Sequence, residues 1–212
     1  GKAALNNLRL LTGASGLAHG LAQAMVQSAH IRVERNPLQL PKVNGGAAVL
    51  AGSCSQATLA QIDHMKNTCP SYALDVLSLA EGADYMNDVI DWAGVHATGG
   101  PILIYTSQPP EQLKKIQDQL GADKAGELAE TAFAHIAQKL VDQGTQRLVV
   151  AGGETAGAVV RALDIDALRI GPEIDPGVPW TVPANKPPML LALKSGNFGA
   201  DNFFTKALEM VS

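Results

Sequence analysis

Residues 147–163 read Arg147-Leu148-Val149-Val150-Ala151-Gly152-Gly153-Glu154-Thr155-Ala156-Gly157-Ala158-Val159-Val160-Arg161-Ala162-Leu163. After Arg147, the next four are a short apolar run of strand type with two β-branched valines. Two glycines then break it, and the residues that follow return to helical spacing. A strand that runs through glycines straight into a helix is half of a βαβ unit, and that unit implies a parallel sheet.

The same grammar recurs along the chain. Leu8-Arg9-Leu10-Leu11 runs into Thr12-Gly13-Ala14-Ser15-Gly16 and a helical stretch to about Ala29. Ala47-Ala48-Val49-Leu50-Ala51 runs into Gly52-Ser53-Cys54-Ser55 and a helix carrying Leu59, Ile62 and Met65 on one face. Met189-Leu190-Leu191-Ala192-Leu193-Lys194 runs into Ser195-Gly196-Asn197-Phe198-Gly199 and a terminal helix. Further strands are predicted over residues 72–76 and 101–106, with a helix from 77 to about 95 between them. The clearest helix spans about 123–143, where Ala125, Leu128, Ala129, Ala132, Ile136 and Leu140 recur at spacings of three and four before Gly144. Residues 170–188 are rich in Pro and Gly and read as a loop with one edge hairpin, because proline removes ladder donors. The uninterrupted apolar strands suit burial on both faces. The expectation is an α/β fold: an open, mostly parallel sheet with helices on both faces and Gly-rich strand–helix turns along its carboxyl edge.

That edge is where open α/β sheets bind ligands. Glycine lets the backbone approach an anion, the free amides of a helix's first turn point at it, and the helix dipole favours negative charge. Serine and threonine hydroxyls add donors with little bulk. The candidates are Ser53, Ser55, Gly152, Gly153, Glu154, Thr155, Lys194, Ser195, Gly196 and Asn197. Each has a structural alternative, since glycine at such a junction also serves as a tight connection and Ser or Thr as an N-cap. Lys194 reads either as a cation for phosphate or as a strand-end lysine reaching water. Glu154 reads as a carboxylate that holds Mg²⁺ through water, or as a first-turn residue favoured by the dipole. Neither G-x-x-x-x-G-K-[ST] nor G-x-G-x-x-G occurs, and Gly52-Ser53-Cys54-Ser55 lacks the spacing of a nucleophile elbow. His19, His30, His64, His96 and His135 are scattered. Asp84, Asp88 and Asp91 share one helix and read as a solvated acidic face.

Composition narrows the classes further. The 212 residues carry 16 Lys+Arg against 20 Asp+Glu, a net charge of −4, with 46% apolar and 17% charged residues. That suffices for a substantial core in one large domain, or a domain plus a fragment. The acidic balance offers no basic face for nucleic-acid phosphates. No apolar run approaches the ~18–20 residues that span a bilayer. Two cysteines, Cys54 and Cys69, make neither a disulfide framework nor a zinc site, and the amino end lacks a signal-peptide pattern. A soluble cytoplasmic protein without a metal cluster of its own is expected.

The motifs together resemble the C-terminal nucleotide-binding domain of the four-carbon acid sugar kinases, which act on 3-oxo-tetronate, threonate or erythronate. The resemblance is carried by residues 11–18, 51–55, 151–159, Gly171-Pro172-Glu173-Ile174-Asp175-Pro176-Gly177-Val178-Pro179-Trp180 and residues 193–199, in the family's order. Ala14, Ala51 and Ala156 are small-for-small departures from the pattern. The resemblance implies ATP binding by Ser53, by the loop of residues 152–155 and by Gly196. Ser55, Lys194, Ser195 and Asn197 are expected to join them as cofactor-binding residues from their place on the same turns. It implies ATP/ADP and Mg²⁺ as cofactors; residues 170–180, lying between two strands that carry phosphate loops, are then expected near the base or ribose. It also implies a four-carbon acid sugar held by an N-terminal domain with an Asp-Asp-x-Thr-Gly-Ala type motif. That motif does not occur here, so the catalytic base is unknown, and residues 1–30 read as the end of a preceding domain or a linking strand–helix unit. Residues 31–212 read as the nucleotide-binding α/β domain, inactive in isolation and with a homo-oligomer left open. The alternatives are a non-catalytic module for phosphorylated metabolites and a hydrolase using Ser53 or Cys54.

Overall fold

A computed structural model describes residues 1–2, 10–32, 39–106 and 110–212. The chain divides into two units, Gly1–Leu38 and Gln39–Ser212. In the first, α1 (Ser15–Gln27) follows an extended Ala14 and buries Ala24. The strand expected at residues 8–11 is not seen in its described half. Leu10 and Leu11 belong to no strand and Leu10 is 90% exposed, while residues 8 and 9 lie outside the described residues. An extended run becomes a strand only where a neighbour completes its hydrogen bonds, and no described strand pairs with Leu10 or Leu11. Among the described residues no strand leads into the junction at residues 12–16.

The second unit runs β1 (Gly46–Ala51), α2 (Gln56–Met65), β2 (Ser71–Ala73), α3 (Val76–Glu81), α4 (Ala83–His96), β3 (Ile102–Tyr105), α5 (Pro110–Leu120), α6 (Ala122–Asp142), β4 (Thr145–Ala151), α7 (Gly153–Ala162), β5 (Leu168–Asp175), β6 (Val178–Pro183), β7 (Leu190–Lys194) and α8 (Phe203–Glu209). The strands form one sheet in the order β2-β3-β1-β4-β7-β6-β5. The first five in that order are parallel, and β6 and β5 complete it antiparallel.

Side chains alternate across the sheet, so each strand feeds two cores. On one face Leu50, Ile104 and Val150 pack against Val89 of α4, Phe133 and Ile136 of α6, and Val159 of α7. On the other, Val49, Leu103 and Val149 are fully buried, and α2 and α8 pack over them. Trp180 of β6 is fully buried there, and its indole N–H donates to the carbonyl of Ala207 at 3.0 Å. That carbonyl sits in the last turn of α8, where helical partners run out.

Three expectations change. The strand predicted over 72–76 stops at Ala73, because Asp75 accepts the Leu77 amide (3.1 Å) and the Ser78 hydroxyl (2.7 Å) and so starts α3. The helix predicted from 77 to 95 is two helices, broken at Gly82 with φ +146°. In place of a loop over 170–188, residues 168–183 form a full hairpin, and its second strand lies inside the sheet. Its prolines are tolerated because β6 pairs with β7 at Trp180 and Thr181 only, while β5 is irregular around Pro172.

Trp180→Phe leaves the Ala207 carbonyl buried without its donor. It is expected to destabilise the protein by about 1–3 kcal/mol, read as a lower urea midpoint at unchanged m-value.

Candidate functional site

The site begins with strand register. Ala51 of β1 pairs with Ala151 of β4, and Ala151 with Lys194 of β7, so three parallel strands end at one level. Each end is tied to the next. The amides of Gly52 and Ser53 both donate to Ala151 O (3.0 and 3.2 Å), and that of Gly152 donates to Lys194 O (2.9 Å).

Where the turns meet, there is room only for hydrogen. A Cβ on Gly52 would lie 2.2 Å from Thr155 Oγ1, and one on Gly196 would lie 2.3 Å from Ser53 Oγ and 3.0 Å from Ser55 Oγ. Gly152 has φ +128° and would place a Cβ 2.9 Å from Thr155 Oγ1. Three of the four junctions read from the sequence thus converge.

Gly152 is the N-cap of α7 and supplies no side-chain cap. The first bond of the helix runs from Ala156 N to Gly152 O (2.9 Å), so the amides of Gly153, Glu154 and Thr155 precede the helical ladder. Above them lies a cavity of about 550 Å³, within the usual range for small-molecule sites. Gly52, Ser53, Cys54, Thr106, Gly152, Gly153, Glu154 and Thr155 form its polar floor. Val76, Ile116, Ala125 and Ala129 are on its apolar side, with Gln117, Ala122 and Gly126. Glu154 is the one charged side chain among the described residues that line it. The attraction for an anion therefore comes from backbone amides and the positive end of α7.

Of the sequence candidates, Ser53, Gly152, Gly153, Glu154 and Thr155 line this cavity, while Ser55, Lys194, Ser195, Gly196 and Asn197 lie outside its lining. Ser55 caps α2 by accepting the Thr58 amide (3.2 Å) and donates to Gly196 O (2.6 Å). Ser195 and Asn197 are exposed on the turn that carries Gly196. Lys194 takes neither of its two expected places. It is 1% exposed, and its ammonium donates to Gly196 O (2.8 Å), Thr58 Oγ1 (3.0 Å) and Ser195 O (3.1 Å). Burial pushes its pKa down to about 8.

Thr58 and Gln61 were not singled out in the sequence, yet both are fully buried beneath the turn. Gln61 Nε2 donates to the carbonyls of Phe198 (3.0 Å), Gly199 (3.1 Å) and Ala200 (3.0 Å). The available signal is a polar stripe, Ser55-Thr58-Gln61, at three-residue spacing on a helix that follows a buried strand. Asp175, at the tip of the hairpin, accepts from Ala200 N (2.9 Å) and Lys206 Nζ (2.5 Å). Burial pushes its carboxyl pKa up, but the bonds from Lys206 and Ala200 and the lysine charge outweigh burial and hold it below the usual value. No residue of 170–180 lines the cavity, and the hairpin tip borders the turn of residues 195–200 instead.

No histidine is among the described residues lining the cavity, so none of that lining offers an imidazole base to Ser53 or Cys54. Among the described residues there is no cluster of three His, Cys, Asp or Glu able to hold a metal, and no helix is long and apolar enough to cross a membrane.

Parallel strands ending in glycine turns, uncapped helix amides and a cavity at the carboxyl edge are features with which α/β domains bind phosphate. The comparison with known proteins narrows this class. Residues 48–204 match the family described as nucleotide-binding C-terminal domain, and the chain belongs to it. It is 49% identical over 211 residues to a 3-oxo-tetronate kinase of Pseudomonas fluorescens, covering 99% of this chain and 48% of that protein. To the 3-oxo-tetronate kinase of Brucella melitensis it is 42% identical over 212 residues, covering 99% and 48%. The crystal structure of Haemophilus influenzae protein HI1011 superposes with a TM-score of 0.82 at 34% identity, covering 100% of this chain and 50% of that one. The chain thus spans about half the length of the curated relatives it matches.

Because the folded pKa of Lys194, about 8, lies below the ordinary 10.5, the unfolded chain binds more protons between those values. Stability from this group therefore rises with pH across that window. Denaturant titrations from pH 7 to 10.5 are expected to show this rise in the unmodified chain and its loss in Lys194→Met.

Proposed function

We propose that this chain is the ATP-binding part of a kinase that transfers the γ-phosphoryl group of ATP to a hydroxyl of a four-carbon acid sugar in the cytoplasm. The observation that carries the reading is the convergence of three glycine turns on one cavity, with the uncommitted amides of Gly153, Glu154 and Thr155 at the amino end of α7. The names of the relatives support the acceptor class, and the family description supports a nucleotide as ligand.

In this reading the α7 amides and the Ser53 hydroxyl hold the phosphates, and the remainder of the nucleotide occupies the cavity. Phosphoryl transfer depends on positioning and charge stabilisation. The tied strand ends supply a rigid floor for the first, and the helix amides part of the second. A single carboxylate, Glu154, fits a Mg²⁺ that keeps most of its waters and arrives on the phosphates, as such ions usually do. When bound, that ion would neutralise phosphate charge. The acid sugar and the group that takes its proton are assigned to the other half of the relatives' length, so this chain alone binds nucleotide with negligible turnover.

Millimolar ATP or ADP with Mg²⁺ is expected to raise the melting temperature. A ligand at 100 times its Kd stabilises by about 2.7 kcal/mol. Gly196→Val, which drives a side chain into Ser53 and Ser55, is expected to abolish the shift in protein that remains folded by circular dichroism. No shift in the unmodified chain overturns the nucleotide reading. An equal shift with sugar phosphates lacking adenine points instead to a phosphometabolite module. Rapid phosphorylation of a tetronate by the chain alone refutes the division of labour.

A further inference from the structure

The turn after β7 has five carbonyls that face protein donors. Ser195 O and Gly196 O accept from the Lys194 ammonium at 3.1 and 2.8 Å. Gly196 O also accepts from Ser55 Oγ (2.6 Å) and Thr58 Oγ1 (3.0 Å), and Gln61 Nε2 reaches the carbonyls of Phe198, Gly199 and Ala200 at 3.0–3.1 Å. Three carbonyls around one side-chain nitrogen also decide which end of the Gln61 amide points here, since only its NH₂ can donate.

A planar trans peptide holds its C=O and the next residue's N–H on opposite sides, and cis bonds are absent from the described residues. Turning the carbonyls of Ser195, Gly196 and Phe198 inward therefore turns the amides of Gly196, Asn197 and Gly199 outward. Those three donate to no protein acceptor among the described residues. The next amide in the row, that of Ala200, already holds an anion, the Asp175 carboxylate at 2.9 Å. Between Asn197 and Gly199 the Phe198 amide turns back to donate to Ser195 O at 3.1 Å, so the outward set is Gly196, Asn197 and Gly199. Outward amides grouped in this way make an anion-binding concavity, and Gly196 sets this one directly against Ser53 of the cavity floor.

We propose that Lys194, Thr58 and Gln61 are positioning residues, which clamp the turn of residues 195–200 carbonyl-inward so that the amides of Gly196, Asn197 and Gly199 bind a phosphate of the nucleotide. The inference rests on the nucleotide reading above. Lys194 acts from behind the turn, satisfying carbonyls that would otherwise repel an anion, and its charge reaches the phosphate through the peptide units and not by contact.

The test compares ADP with adenosine, which share a base and ribose but differ in phosphate, by titration calorimetry. Thr58→Val and Gln61→Leu are expected to weaken ADP binding about tenfold, as for one misaligned contact, and to leave adenosine unchanged. Thr58→Ser, which keeps the hydroxyl, restores ADP binding. In the unmodified chain, ADP is expected to shift the ¹⁵N–¹H signals of Gly196, Asn197 and Gly199, and adenosine to leave them in place. A merely structural clamp would lower both affinities together with the melting temperature. That result, or unaltered ADP binding in both variants, overturns the clamp. Silent Gly196, Asn197 and Gly199 signals in the presence of bound ADP do the same without any variant having to fold. Failure of the unmodified chain to bind ADP at all sinks the nucleotide reading itself.

Discussion

The level ending of three parallel strands is the constraint on which the site depends. Ala51, Ala151 and Lys194 are paired across the sheet, and strands buried on both faces have little freedom to slip. Their turns leave the sheet side by side, close enough that Gly52, Gly152 and Gly196 have no room for an ordinary Cβ. A register shift in any one strand would pull its turn out of the cluster. The apolar core and the polar floor are consequences of the same alignment.

Chain direction opens the space above that floor. From β1 the chain runs to β2 and β3 on one side, and β4 and β7 lie on the other, so β1 and β4 flank a topological switch point. The helix after β1 packs with α8, and the helix after β4 packs with α6 on the opposite face. The crevice between them is left open by small residues on α6, namely Ala122, Ala125, Gly126 and Ala129. Larger side chains there would close it.

The electrostatics are those of backbone rather than side chains. Glu154 is the charged group on the described lining, and the nearby lysine is turned away beneath the turn of residues 195–200. A site of this kind favours anions through oriented peptide dipoles. Such dipoles cost no reorganisation when a ligand arrives, provided the backbone is held. The buried polar contacts from α2 hold it on one side, and Asp175, itself paired with Lys206, holds its far end at the Ala200 amide.

Much of this was legible in the residues. Apolar runs ending in glycine announced β1, β4 and β7, and the long helix of residues 122–142 followed from its three- and four-residue spacing. The full extent of the hairpin of residues 168–183, expected only as an edge feature within a loop, was hidden because proline counts against a strand until its neighbours' hydrogen bonds are known. The helix start at Val76 was hidden because Asp75 can cap only once its backbone turns. The sequence by itself determined the alternation of strands and helices and which turns carry the small polar chemistry, since both are local properties of backbone freedom and side-chain period. Only the tertiary structure decided that three of those turns meet, that Lys194 points inward, and that Thr58 and Gln61 matter. Those facts depend on which strand lies beside which, and on distances between residues more than a hundred positions apart in the chain.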